Sequence, residues 1–148
     1  MAEALGFPQR AQHDALRRLR HSLDDAITAP SLDHDVWVAH LSTVLTKLGR
    51  IFGKHIAETE APDGSLDDIV QMKPYLQPRV RKIMDEHASL RTRIDQLTSA
   101  AKVCGGANEA TIDDLRLEAG QLADAIRLHQ AKGVDLVYEA YLRVEGVG

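Results

Sequence analysis

His13 and His87 stand 74 residues apart, and so do His55 and His129, in a chain of 148 residues. Their neighbours obey the same offset: Leu16 pairs with Leu90, Arg17 with Arg91, Leu23 with Leu97, Leu48 with Leu122 and Phe52 with Ile126. A repeat of half the chain restricts the fold to two copies of one unit. Each copy reads as a helical hairpin carrying one histidine on each of its two helices. Two units are too few for a solenoid, so the repeat predicts a pseudo-twofold body.

The apolar spacing supplies the helices. From Pro8 to Ala29, Leu16, Leu19, Leu23, Ala26 and Ile27 recur at three- and four-residue steps, with His13 one turn before Leu16 on the same stripe. Pro8 suits a first helical turn and Pro30 closes the segment, because proline disfavours helical geometry in the residue before it. A second helix starts near Ser31 or Asp33, either of which can accept from an unpaired N–H. Its stripe is Trp37, Leu41, Val44, Leu45, Leu48, Ile51, Phe52, His55 and Ile56, and it ends around Glu60 before the turn chemistry of Pro62-Asp63-Gly64. His34 and His40 fall to capping or surface roles, and His21, among Arg17, Arg18 and Asp25, to solvent.

A connection of about 13 residues follows, longer than a simple helix-to-helix turn. In it Ser65-Leu66-Asp67-Asp68 resembles a capping box, and Ile69 and Val70 support one short helical turn over an end of the body. The third long helix runs from about Pro78 to Val103, with Val80, Ile83, Met84, His87, Leu90, Ile94, Leu97 and Ala101 inward and Gly105 and Gly106 ending it. The fourth opens at Thr111, with Asp113 and Asp114 near the positive end of the helix dipole. Its stripe is Leu115, Ala119, Leu122, Ala125, Ile126, His129, Leu136 and Val137, interrupted by Gly133, which marks a close approach, a bend or a missing side chain beside His129. From Tyr138 onward the chain reads as a fraying helix and tail. Short first and third connections then predict an all-α, antiparallel up-down-up-down four-helix bundle, a single domain over residues 1–148.

At about 1.5 Å per residue, His13, His87 and His129 lie roughly 24, 26 and 27 Å from their nearest short loops, and His55 roughly 34 Å. All four therefore fall within a turn or two of one layer. Four imidazoles in an apolar layer must find partners for eight ring nitrogens, at a desolvation cost for each one left bare. A metal ion takes one nitrogen from each ring and leaves the other for a neighbouring acceptor.

QHDALRRL in the first helix, FGKHIAETEAPDG closing the second, MDEHASLRTRI in the third and LHQAKGVDLVYEAY in the fourth resemble the hemerythrin-like, HHE-type cation-binding domains. The resemblance covers nearly the whole chain, the Glu86-His87 pair included. It implies a four-helix bundle holding a non-heme di-iron centre, in proteins that carry or sense oxygen, sense redox state, or respond to nitric oxide and iron. It also implies that His13, His55, His87 and His129 are imidazole ligands. Where the family carries bridging acids this chain has Thr59 and Gly133 or Val134, so Glu58, three residues after His55 on the same face, is the surviving carboxylate candidate. Glu60 and Glu86 are candidate acceptors for the outer ring nitrogens. Lys132 stands where the repeat would place a second Glu58, and Arg91 stands where the oxygen carriers have a further histidine.

Four neutral histidines and one glutamate suit a single zinc or ferrous ion better than two ferric ions, since few anions remain to offset the charge. The expectation is a non-heme metal-binding protein, with iron (mononuclear or di-iron) or zinc, that binds or senses dioxygen or another small oxidant. The alternative is a metal-free descendant of the same fold, in which Lys132, Arg91 and Arg17 pair with Glu58, Glu60 and Glu86 and the molecule serves as an interaction or structural module for a protein partner. An enzyme is disfavoured because acids that activate oxygen are mostly absent. A net charge of −4 and the lack of a basic stripe exclude nucleic-acid and anionic-membrane surfaces. A lone Cys104 and no apolar run of about 18 residues predict a soluble, cytoplasmic protein.

Overall fold

The computed structural model describes residues 7–104 and 106–142, with side chains from residue 13 onward. Among the described residues the chain is all-helical, with no strand and five α-helices: α1 (Phe7–Thr28), α2 (His34–Thr59), α3 (Ser65–Met72), α4 (Gln77–Lys102) and α5 (Glu109–Val137). A 3-10 turn at Pro74–Leu76 leads into α4, and a π-helical turn at Tyr138–Leu142 prolongs α5. α1 packs on α2 and α5, and α4 packs on the same two helices, while α3 touches α2 and α4.

The buried face of α4 shows how the stripes become a core. Val80, Ile83, His87, Leu90, Ile94, Leu97 and Ala101 are all buried, each three or four residues from the last. Met84 was expected inward and is 39% exposed, because Ile83 and His87 already occupy that turn of the stripe. Two apolar clusters result. The larger gathers Leu16, Leu23, Leu48, Phe52, Leu90 and Ile126 with the Trp37 end of the molecule, and the smaller gathers Leu66, Ile69, Leu76, Val80, Ile83 and Leu136. The repeat survives in burial: Leu16 and Leu90, Leu23 and Leu97, Leu48 and Leu122, and Phe52 and Ile126 are buried pairwise.

Helix ends are set by side chains at three places. Asp33 caps α2 by accepting from Val36 N at 3.2 Å, and Asn108 caps α5 by accepting from Thr111 N at 2.9 Å. Helix α5 thus begins two residues before Thr111. At the far end of the larger cluster, the Arg116 guanidinium lies 4.7 Å over the Trp37 ring and donates to the carbonyls of Ile27 and Ala29, while Trp37 Nε1 donates to Ala26 O at 2.9 Å. These donors satisfy carbonyls that the last turn of α1 leaves without helical partners.

Two local expectations are corrected. Ser65 does not cap α3: the cap is Gly64, with no side-chain hydrogen bond, and α3 extends over eight residues instead of one turn. Residues 138–142 do not fray. Lys73 Nζ donates to Glu139 O at 2.9 Å and Ala140 is 2% exposed, so the π turn is docked against the segment that joins α3 to α4. The tail beyond Leu142, and Gly105, lie outside the described residues; Gly106, at φ 65°, does adopt the left-handed geometry expected after α4. No described helix is long and apolar enough to cross a membrane.

Candidate metal centre

The histidine layer lies between the two apolar clusters. On α4 the order is Ile83, His87, Leu90, and on α5 it is Ile126, His129, Leu136, with the smaller cluster always on the loop 60–77 side of the histidine. His55 reaches the same level from the last turn but one of α2. A ring nitrogen from each of His55, His87 and His129 lies within 4.8 Å of the others. Ring centroids are 5.0 Å apart for His55 and His87, 4.8 Å for His87 and His129, and 6.0 Å for His55 and His129.

Phe52 forms the floor. Its ring centroid is 5.8 to 6.0 Å from all three imidazoles, so one apolar side chain fixes the spacing of the cluster. The sequence placed Phe52 in the core stripe without linking it to the site, although its position three residues before His55 puts the two on one helix face.

The outer nitrogens are held by acids. His87 Nδ1 donates to Glu60 Oε2 at 2.6 Å, and His129 Nδ1 donates to Glu86 Oε1 at 3.0 Å. Both acids are residues the sequence offered as acceptors. Each bond selects the tautomer with its proton on Nδ1 and leaves Nε2 with a bare lone pair. His87 is 1% exposed, and its Nε2 is buried without a hydrogen-bond partner. This bare acceptor lies beside two other imidazoles, a group that could hold a metal ion.

Electrostatics keeps these rings neutral. Burial, reinforced by the neighbouring His87, His129 and His13, lowers His55 to about 3. Burial, with His129 adding to it, lowers His87 to about 4. His129 is also lowered by burial, against the opposing pull of Glu86. Glu86 is pushed up by burial, yet hydrogen bonds from Lys132 and His129 outweigh this and leave it below the usual carboxylate range, whereas burial raises Glu60. Neutral imidazoles are the form that binds metal, so no proton has to be displaced near neutral pH.

Two expected ligands stand apart. His13 is exposed and lines the same cavity, but the group of nitrogens within 4.8 Å does not include it. Glu58 turns along α2 to Lys54, at 4.0 Å, and not toward the imidazoles. The three cations flagged in the sequence behave differently from one another: Lys132 pairs with Glu86 at 2.7 Å, Arg91 with Asp95 and Arg17 with Asp14, both at 3.6 Å. His21 and His40 are exposed, as expected, and His34 Nδ1 donates to Ala107 O at 3.0 Å across the loop end of the molecule. Cys104 is a free, half-buried thiol packed against the larger cluster.

Three imidazoles make a group that could hold a metal ion. Three nitrogens converge, and a four-coordinate ion would leave a further position facing the cavity beside them. Thr59 and Gly133 line the adjoining cavity. Comparison of the chain with family models, with curated proteins and with solved structures finds no match.

Proposed function

We propose that the protein is a hemerythrin-like, antiparallel four-helix bundle that holds a single non-heme metal ion, zinc or ferrous iron, through His55, His87 and His129. The observation that carries this reading is the unpartnered, buried Nε2 of His87 beside two further imidazoles, with the outer nitrogens of His87 and His129 already committed to Glu60 and Glu86. Carboxylate partners of this kind orient a ligand ring and raise its basicity. His13 lines the cavity wall outside this group, so the fourth position is left to a small molecule. Bound there, the ion supplies a Lewis-acidic position open to one small molecule. The function is to bind or sense dioxygen or another small oxidant, and no catalytic acid is assigned.

A second reading is favoured by Lys132, whose ammonium neutralises Glu86 at 2.7 Å. In this reading the layer is charge-balanced without an ion, and the molecule is an interaction module for a protein partner. Elemental analysis of protein purified without a nickel column, from cells grown with added iron and zinc, decides between the two. One equivalent of iron or zinc, removed by a chelator with a fall in melting temperature, supports the metal site. Absence of metal, with a melting temperature indifferent to chelator, removes it.

A further inference from the structure

The cavity beside the histidines is larger than a metal ion and a diatomic oxidant require. Its volume is about 310 Å³, whereas an apolar cavity of roughly 150 Å³ accommodates a whole benzene molecule. The space therefore suits a molecule about the size of two fused rings. Its walls are mostly apolar, with Leu66 and Ile69 from α3, Ile83 from α4 and Leu136 from α5. Most of its polar groups are the histidines with Thr59 and Gln130, Ser65 on α3 and Tyr138 on the π turn being the others. That division, an apolar body with a few polar groups, is the pattern of a small-molecule site.

Gly133 explains why the space exists. It lines the cavity, and a Cβ built on it would meet nothing within 4 Å. Its φ is not in the left-handed region, so neither backbone geometry nor close packing requires a glycine here. The missing side chain leaves room next to His129.

We propose that this cavity binds a hydrophobic alcohol or phenol of about ten carbon atoms, comparable to two benzene-sized volumes, with its hydroxyl directed at the histidine cluster. The hydroxyl follows from the tautomers. His87 and His129 donate through Nδ1, so each presents Nε2 as an acceptor, and the buried Nε2 of His87 has no donor to receive. A carboxylate or ketone has no proton for His87 Nε2, whereas a hydroxyl donates to it and can also accept from Gln130 Nε2, another buried and unpartnered polar atom in the cavity lining. The polar end of this assignment rests on the histidine cluster described under the proposed function and uses the His87 Nε2 lone pair only while no ion occupies it; with an ion bound, the hydroxyl would face the ion instead. The apolar end does not depend on that reading.

The test uses 2-naphthol, followed by fluorescence titration of chelator-treated protein, so that its outcome does not depend on whether a metal is bound natively. Saturable binding at one site is expected. Naphthalene, which lacks the donor, should bind roughly fivefold more weakly, the effect of one net hydrogen bond. Gly133→Leu fills the space from a helical position and should weaken 2-naphthol at least about tenfold, as loss of a ring-sized cavity implies, with helical circular dichroism retained. In the unmodified protein, 2-naphthol should shift the methyl resonances of Ile69 and Ile83 and leave those of Ile112, at the far end of α5, in place. No saturable binding, equal affinity for naphthalene, indifference to Gly133→Leu, or shifts at Ile112 alone would each overturn the proposal. Failure of the metal reading shows itself separately, as absent metal in the protein as purified.

Discussion

At the residue scale the site divides into rings that meet and side chains that do not, and substitutions should sort the same way. His55→Ala and His129→Ala are expected to abolish stoichiometric metal, while His21→Ala and His40→Ala, both on exposed side chains, leave it intact. Glu86→Gln should lower metal affinity by about 10–100-fold, because the His129 ring loses the carboxylate that orients it. Glu58→Gln should change little, since Glu58 faces Lys54. Metal content after equilibrium dialysis reads all six variants, and equal losses at the exposed and buried histidines would show that the sorting is wrong. Much of this was legible in the chain: helix rise put His13, His55, His87 and His129 in one layer, of which the last three meet, and Glu60 and Glu86 were recognisable as acceptors. Glu58 was not, because sharing a face with His55 says which way a Cα–Cβ bond points and not which partner the flexible carboxylate takes near a helix end. Spacing also cannot show tilt, and His13 matches His87 in register while one is exposed and the other buried.

At the element scale the glycines carry opposite information. Gly64 caps α3, and a Cβ there would meet the carbonyl oxygens of Glu58 at 2.6 Å, Thr59 at 2.7 Å and Ala61 at 2.9 Å, all rigid backbone. Gly133 sits within α5 with open space around it. The same replacement should therefore change stability in opposite directions: Gly64→Ala destabilises by more than 1 kcal/mol, roughly the scale of backbone strain, and Gly133→Ala stabilises by about 1 kcal/mol through helix propensity. Asn108→Ala should cost about 1 kcal/mol as a lost cap, and Ser65→Ala should be near neutral. Urea unfolding midpoints measure all four, and a destabilising Gly133→Ala would mean that the glycine serves a close contact after all. The sequence announced every long helix within one or two residues because three- and four-residue apolar spacing is a strong signal over many turns. It misjudged the ends where a single side chain decides: Asn108 takes the Thr111 amide and starts α5 early, and Gly64, not Ser65, begins α3. The docked π turn was invisible to periodicity, since its anchor is a lysine–carbonyl bond to Glu139 from a segment 66 residues away.

At the scale of the whole molecule the buried imidazoles make the metal-free fold acid-sensitive. In the unfolded chain each histidine titrates near 6.5, whereas burial holds His55 at about 3 and His87 at about 4, with His129 lowered in the same sense. Below pH 6.5 the unfolded state therefore takes up protons that the folded state refuses, and stability falls as pH falls. Each fully engaged histidine contributes a slope of about 1.4 kcal/mol per pH unit, so His55 and His87 together remove roughly 3 kcal/mol between pH 6.5 and pH 5, and His129 acts in the same direction. That is a large part of the 5–15 kcal/mol that typically separates folded from unfolded states. Glu86, held below its ordinary range by Lys132 and His129 against the upward push of burial, extends the loss further: its stabilisation is complete above about pH 4.5 and disappears as pH falls through its lowered value. Zinc should offset the acid loss at pH 6 and above, where the ion competes well with protons for the same nitrogens, and lose that advantage toward pH 5. Chemical denaturation of chelator-treated protein from pH 7.5 to 4.5 is the measurement. A stability curve that is flat across pH 6.5 to 5, or that rises on acidification, would mean that the three rings are solvated or already charged in the folded chain, and with that the neutral nitrogen donor set would be gone.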